Sequence, residues 1–245
     1  MEASKLRIRC SSLGKIMTSP RSGDGLSETC KTHIQELYLE FEFGIRKEFW
    51  SRYTDKGIRM EGDSIRLANE VLKWQLPEDF SEYEQTRFDN DFILGKTDIC
   101  TDWLLADVKT SWDANTFPFF DEKPKSKANQ WQMQGYMWLT GHNKADLAYC
   151  LVNTPEDMVL DEIRREHWKQ NSHWQGDEDE EIVNYVRSKH NFDHIPKHMR
   201  VKNFVIEYDE AKIERIKERV AQCREYYQEL LDSNVNERDN YMVVK

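Results

Sequence analysis

The sequence predicts a single α/β (α+β) domain, a small mixed β-sheet flanked by helices. Three observations point there. Stretches near both ends repeat apolar residues at helical spacing, residues 86–111 switch to short apolar runs around a tight turn, and strand-like runs alternate with helices beyond them. No internal repeat, low-complexity tract or Gly/Pro-rich linker divides the 245 residues, so one domain over 1–245 is expected.

The opening segment, 10–25, mixes Ser, Gly, Pro and basic residues and reads as a short helical turn followed by a loop. Ser27 then caps a helix over 28–50 with an apolar stripe of Ile34, Leu37, Phe41 and Ile45. A second helix over 57–74 buries Ile58, Ile65, Ala68 and Leu72, and Leu76-Pro77 ends it. Within 86–111, Phe92-Ile93-Leu94, Ile99-Cys100 and Trp103-Leu104-Leu105-Ala106 give a β-hairpin. A helix over 128–140 is stopped by Gly141, and a strand over 146–152 follows. Helices over 155–169 and 180–189, a strand over 203–208 and a helix over 210–231 complete the chain. That last helix keeps Ile213, Ile216, Val220, Cys223, Tyr227 and Leu230 on one face.

Composition narrows the functional classes. No apolar run approaches the roughly 20 residues that span a bilayer, and the start lacks the apolar core of a signal peptide, so a cytoplasmic protein without a membrane partner is expected. The five cysteines are scattered and never CxxC, which fits reduced core residues better than a disulfide framework or zinc ribbon. A net charge of −10 argues against nucleic acid at first sight, but residues 1–60 carry +3 and residues 61–245 carry −13. Part of the acid is the solvated run from Asp177 to Glu181; the carboxylate-rich remainder is also suited to divalent cations.

The most informative stretch is Gly95-Lys96-Thr97-Asp98 followed by Asp107-Val108-Lys109. With the turn centred on Asp102 and Trp103, positions summing to 205 face each other, so Asp98 opposes Asp107 and Lys96 opposes Lys109. Two carboxylates directly across a ladder repel unless a cation lies between them, and a hard, oxygen-seeking ion such as Mg²⁺ resolves the conflict. Lys109 points to the same side as Asp107 and could hold a water or offset charge growing on a phosphate. The combination suits metal-assisted phosphodiester hydrolysis. The competing reading is a polar edge hairpin with solvated charges.

Other positions add to the pattern. Glu61 falls between Ile58 and Ile65 at helical spacing, an inward carboxylate that needs a metal or an Arg, or else sits at the rim of the stripe. Gln132 and Tyr136 stand one turn apart, able to touch a phosphate or simply to form the polar side of a core helix. Arg7, Arg9, Ser11, Ser12, Lys15 and Arg21 form a dense set of phosphate-capable donors, or a solvated basic face. His190, His194 and His198 recur every four residues, but Pro196 breaks the helix that would align them on zinc.

Glu61, Asp98, Asp107-Val108-Lys109 and the run from Gln132 to Tyr136, in this order, resemble the PD-(D/E)XK nuclease superfamily, and within it the phage recombination exonucleases of the bacteriophage λ exonuclease type. Lys5-Leu6-Arg7, Pro20-Arg21-Ser22-Gly23, Met137-Trp138 and Phe204-Val205-Ile206-Glu207 extend the likeness over most of the chain, thinly between 155 and 200. The resemblance implies a restriction-endonuclease-like core and a Mg²⁺-dependent enzyme, with Mn²⁺ as a substitute. It implies 5′→3′ digestion of one strand of linear double-stranded DNA, leaving a 3′ single-stranded overhang for recombination. It also implies a homotrimeric ring, whose acidic exterior can coexist with a basic channel, a single-strand annealing protein as partner, and a bacterial host cytoplasm.

By position, Glu61, Asp98 and Asp107 resemble the metal ligands, with the Val108 carbonyl assisting; Lys109 resembles the catalytic lysine and Gln132 an active-site contact. Arg7, Arg9, Ser12 and Arg21 resemble the pocket for the DNA 5′ phosphate, and Asp89 and Tyr136 are further matches. The carboxylate two before the lysine is Asp where λ exonuclease has Glu. The rival readings are a restriction-type endonuclease, a RecB-like nuclease, whose cysteine cluster is missing from the sequence, and a non-catalytic DNA-end-binding protein.

Overall fold

The computed structural model describes residues 1–48, 50–77, 87–169 and 179–233. Asp177 and Glu178 of the acidic run, and Thr86 at the start of the hairpin region, lie outside them. The architecture is the expected one, mixed sheets flanked by helices. No described helix is long and apolar enough to cross a membrane.

The N-terminal part contributes strand β1 (Ile8–Arg9), a 3-10 turn (Cys10–Ser12) and the short helix α1 (Leu13–Ile16). Helix α2 (Glu28–Phe43) begins where the Ser27 hydroxyl accepts the Cys30 N–H. It ends seven residues before the expected 50, because Gly44 takes a left-handed conformation (φ 68°) and its N–H returns to the Glu40 carbonyl. Ile45 therefore lies beyond the helix and is exposed, Phe41 in the last turn is exposed as well, and Cys30, His33, Ile34 and Leu37 form the buried face.

The single helix expected over 57–74 is two. Helix α3 (Arg52–Arg59) closes on Met60, which also opens helix α4 (Glu61–Leu72). The break at Met60 uncouples the phases of the two helices, so Ile58 faces solvent at 70 % exposure while Ile65 and Ala68 are buried. Glu61 thus sits at the first turn of α4, partly buried, and not inside a continuous stripe.

Strands β2 (Arg87–Asp89) and β3 (Ile93–Lys96) join β1 in one sheet, ordered β1-β3-β2. Strands β4 (Ile99–Cys100), β5 (Leu105–Thr110), β6 (Lys144–Cys150) and β7 (Val201–Glu207) form a second sheet in that order, with β5 parallel to β6 and both outer pairs antiparallel. Between β5 and β6 the chain crosses through helix α5 (Lys127–Thr140), capped by Ser126 and stopped by Gly141 at φ 79°. Helices α6 (Glu156–Lys169), α7 (Glu180–His190) and α8 (Glu210–Asp232) complete the domain.

Alternation along β5 positions the site. Leu105 belongs to the main core with α5 and α8, and Ala106 and Val108 to a second core with Ile65 and Ala68 of α4. Asp107 and Lys109 therefore project to the α5 face. Both faces of the central strands are covered, so any charge placed on them must find a partner inside the protein.

Candidate active site

The hairpin register is the expected one: Ile99 pairs with Ala106 and Cys100 with Leu105. The ladder is shorter than expected, however. Residues 93–96 leave for the other sheet, where Lys96 pairs with Arg87, so Lys96 does not oppose Lys109. Asp98 sits just outside the two-residue strand β4, and its Oδ2 accepts the Val108 N–H at 2.8 Å. This bond anchors one carboxylate to the strand that carries the other.

Asp107 is 1 % exposed. Its Oδ1 accepts from Gln132 Nε2 at 3.3 Å, and its Oδ2, which has no well-aligned hydrogen bond, lies 2.6 Å from Lys109 Nζ. Lys109 Nζ also donates to Gln132 Oε1 at 3.4 Å. Gln132 Nε2 in addition donates to the Tyr136 hydroxyl, which donates to the Lys96 carbonyl. Gln132 and Tyr136 are joined to the charged pair in one network; Gln134 is buried elsewhere, tying Glu207 to Asp209.

Electrostatics follow from this burial. Desolvation and the Asp107 charge push Asp98 up to about 8, with Glu61 adding to the rise and Lys109 and the Val108 N–H opposing it. Burial likewise raises Asp107 against the pull of Lys109. Burial would lower Lys109, but the Asp107 charge and ion pair prevail and raise it. One ammonium incompletely neutralises two carboxylates, so burial and mutual repulsion disfavour the second negative charge, and a further cation would relieve both.

Among the described residues no three Asp, Glu, His or Cys side chains are gathered closely enough to form a ready metal cage. Asp98 and Asp107 form the pair, with Glu61 near enough to act on Asp98 through its charge. The donor chemistry fits a hard divalent cation: oxygen donors only, two of them on repelling carboxylates, and one buried oxygen without an aligned hydrogen bond. His190 is buried with Nδ1 at 2.9 Å from the Thr154 hydroxyl and belongs to no metal cluster of the described residues.

Beyond Tyr136 lies a cavity of about 550 Å³, lined by Arg7, Arg9, Ser11, Arg46, Arg87 and Lys96 among others. Tyr136 forms part of its wall, so one phenol separates it from the carboxylates. Arg7 is ion-paired with Asp89, and Glu40 lies 3.5 Å from Arg9 and 3.9 Å from Arg46. Asp89 therefore serves the basic cavity, not the Asp98–Asp107 pair. Ser12 and Arg21 do not line the cavity; Arg21 is exposed on the loop after α1. The sequence does not single out Arg46 and Arg87, although Gly44, an available helix stop, frees Arg46 from α2, and Lys96, expected opposite Lys109, lines this cavity instead. A larger cavity, about 1040 Å³ beside Trp103 and His142, holds none of these groups.

Asp98 beside β4, Asp107 and Lys109 on β5 and Gln132 on the crossover helix thus form one buried, charged unit. No protein-family model and no curated protein sequence matches the chain. A crystal structure of a phage-related exonuclease from Haemophilus somnus 129PT is similar at 30 % identity and a TM-score of 0.71, covering 94 % of this chain and 96 % of that one. The alkaline exonuclease of Laribacter hongkongensis is similar at 16 % identity and a TM-score of 0.60, over 97 % of this chain and 98 % of that one, and its complex with dAMP gives 0.59. The chain belongs to the family of phage-related exonucleases, and the fold is shared with the alkaline exonuclease.

Proposed function

We propose that this protein is a Mg²⁺-dependent exonuclease that degrades one strand of linear double-stranded DNA in the 5′→3′ direction and leaves a 3′ single-stranded overhang for recombination. The network Asp98–Asp107–Lys109–Gln132 carries the reading: a pair of carboxylates short of one positive charge, beside an ammonium, next to a basic cavity.

Asp98, Asp107 and Glu61, with the Val108 carbonyl, are the residues that would hold Mg²⁺ or Mn²⁺, which when bound supplies polarisation of the phosphodiester and a more acidic water. Lys109, 30 % exposed on its open side, can orient the attacking water and offset charge on the phosphate. Gln132 holds Lys109 and Asp107 in register, and Tyr136 fixes Gln132. Arg7 and Arg9, with Ser12 and Arg21 from the neighbouring turn and loop, are the proposed donors to a terminal 5′ phosphate, and the cavity adds Arg46 and Arg87 to that set. A homotrimeric ring and a single-strand annealing partner belong to the same proposal through the family likeness.

Duplexes labelled separately at each 5′ and 3′ end, digested beside a covalently closed circle with Mg²⁺ or a chelator, test the reading. Metal-dependent loss of the 5′ label first, with the circle intact, is expected. Cutting of the circle would refute exonuclease action, and earlier loss of the 3′ label would refute the polarity.

A further inference from the structure

Phe120 is 97 % exposed, more than any other large apolar side chain among the described residues. It stands on the 111–126 loop, which joins the strand bearing Lys109 to the helix bearing Gln132. Isolated exposed apolar residues are common on surfaces, but this one ends a built stack of rings. Phe117 is buried, Phe119 packs on it edge-on with centroids 4.6 Å apart, and Phe120 follows Phe119 at 6.1 Å. The loop is braced beneath them. Asp113 and Thr116 exchange hydrogen bonds, the Phe119 N–H donates to the Phe117 carbonyl, and Asp121 pairs with Lys125 at 3.1 Å.

The stack leads back to the reacting groups. Phe119 and Tyr149 both pack against the buried cluster of Phe117, Leu151 and Phe192, and Tyr149 is the ladder neighbour of Lys109, on the same face of the sheet. The Tyr149 hydroxyl accepts from Asn129 Nδ2 at 2.9 Å, three residues before Gln132, and Tyr149 lies within the fields of Lys109, Asp107 and Asp121. Lys109 and the Phe119–Phe120 pair are thus joined through Tyr149 and one shared apolar cluster. Asp121 is occupied by Lys125, and Lys123 on this loop and Lys127 at the start of α5 are exposed cations at the rim.

We infer that Phe120 is a stacking platform for one base of the DNA strand whose backbone is engaged at the Asp107–Lys109 site. A phenyl face accepts any base, so the contact would position the strand without reading its sequence. This rests on the proposed nuclease reading and adds a substrate contact outside the charged network.

The experiment uses the full chain carrying Lys109→Ala, which removes turnover so that binding can be measured, with 2-aminopurine placed successively at the first nucleotides of a linear duplex. Adding Phe120→Ala should weaken binding about 5- to 150-fold and abolish the fluorescence quenching at one position, and Phe120→Trp should restore both. Unchanged affinity and quenching in Phe120→Ala would overturn the inference, as would a Trp variant that behaves like Ala. A changed oligomeric state by sedimentation with unaltered DNA contacts would reassign Phe120 to a contact between copies and also overturn it. The nuclease reading fails separately, if the wild-type chain leaves linear duplex undigested in the presence of Mg²⁺; if no form binds DNA, both fall.

Discussion

Lys109 Nζ and Asp107 Oδ2 lie 2.6 Å apart on β5, two residues from each other on the same face of the strand. Their exposures differ sharply, 30 % for the lysine side chain and 1 % for the aspartate. The negative charge is sealed against the sheet and the positive one looks outward, so an anion arriving from solvent meets the ammonium first. Gln132 bridges the two and limits the lysine's freedom to follow either partner.

Lys109→Ala is expected to lower the turnover of linear duplex by about 10²–10³-fold or more, the scale seen when one charge-stabilising donor is removed, with end binding changed only a few-fold. Single-turnover digestion together with a binding titration measures both. Wild-type turnover in the variant would remove Lys109 from the chemistry.

Gly95 is a packing requirement of the same region. A Cβ at this position would lie 2.8 Å from Tyr136 Cε1 and 2.9 Å from Cys10 Sγ, closer than real contacts allow. Gly95→Ala is expected to cost roughly 1–3 kcal/mol and to displace the phenol that fixes Gln132. A lower urea midpoint accompanied by reduced kcat is the expected result; an unchanged midpoint would mean that the ring yields freely.

Lys56 supplies a pH signature. It is 1 % exposed, donates to the Trp112 carbonyl at 2.8 Å, and burial lowers its pKa to about 8, with Asp113 opposing the fall. Because the folded value lies below the unfolded one, the unfolded chain binds more protons between about pH 8 and 10.5. Stability should therefore rise with pH across that window by about 3 kcal/mol relative to Lys56→Met, which lacks the titrating group. Parallel stability profiles for the two proteins would show that Lys56 keeps its ordinary pKa.

The basic cavity predicts end selectivity. Arg9→Ala and Arg87→Ala should each reduce the ratio of rates on 5′-phosphorylated and 5′-hydroxyl duplexes by about 10- to 150-fold, since a hydrogen bond to a charged group contributes on the order of 1.5–3 kcal/mol. Rates on hydroxyl ends should change much less. Equal losses on both substrates would assign these arginines to general backbone attraction.

The failures of sequence reasoning share a cause. The stripe through Ile34 and Leu37 is buried, but Ile45 needs a helix that Gly44 ends, and Phe41, still helical, is left exposed in the last turn. Ile58, Glu61 and Ile65 fit one periodic pattern, yet Met60 divides it, and no Gly or Pro marks that break. Lys96 and Lys109 fit the hairpin arithmetic until β3 leaves for another sheet. A periodic pattern shows which residues could share a face, whereas the length over which the element stays regular depends on what packs against it.

The sequence alone determined the α/β class, the turn register that brings Ile99 to Ala106, and the placement of Asp107 and Lys109 on one face of a strand, because two-residue and helical periodicities are local properties of the chain; Gln132 joined them only through the family resemblance. Tertiary structure decided the rest. It buried Asp107 and left Lys109 half open, assigned Asp89 to Arg7, assembled arginines from 7, 9, 46 and 87 around one cavity, and set Phe120 at the end of a ring stack. These relations join residues far apart in the chain, and their energies depend on which groups exclude water from which, a property that exists only once the chain has closed on itself.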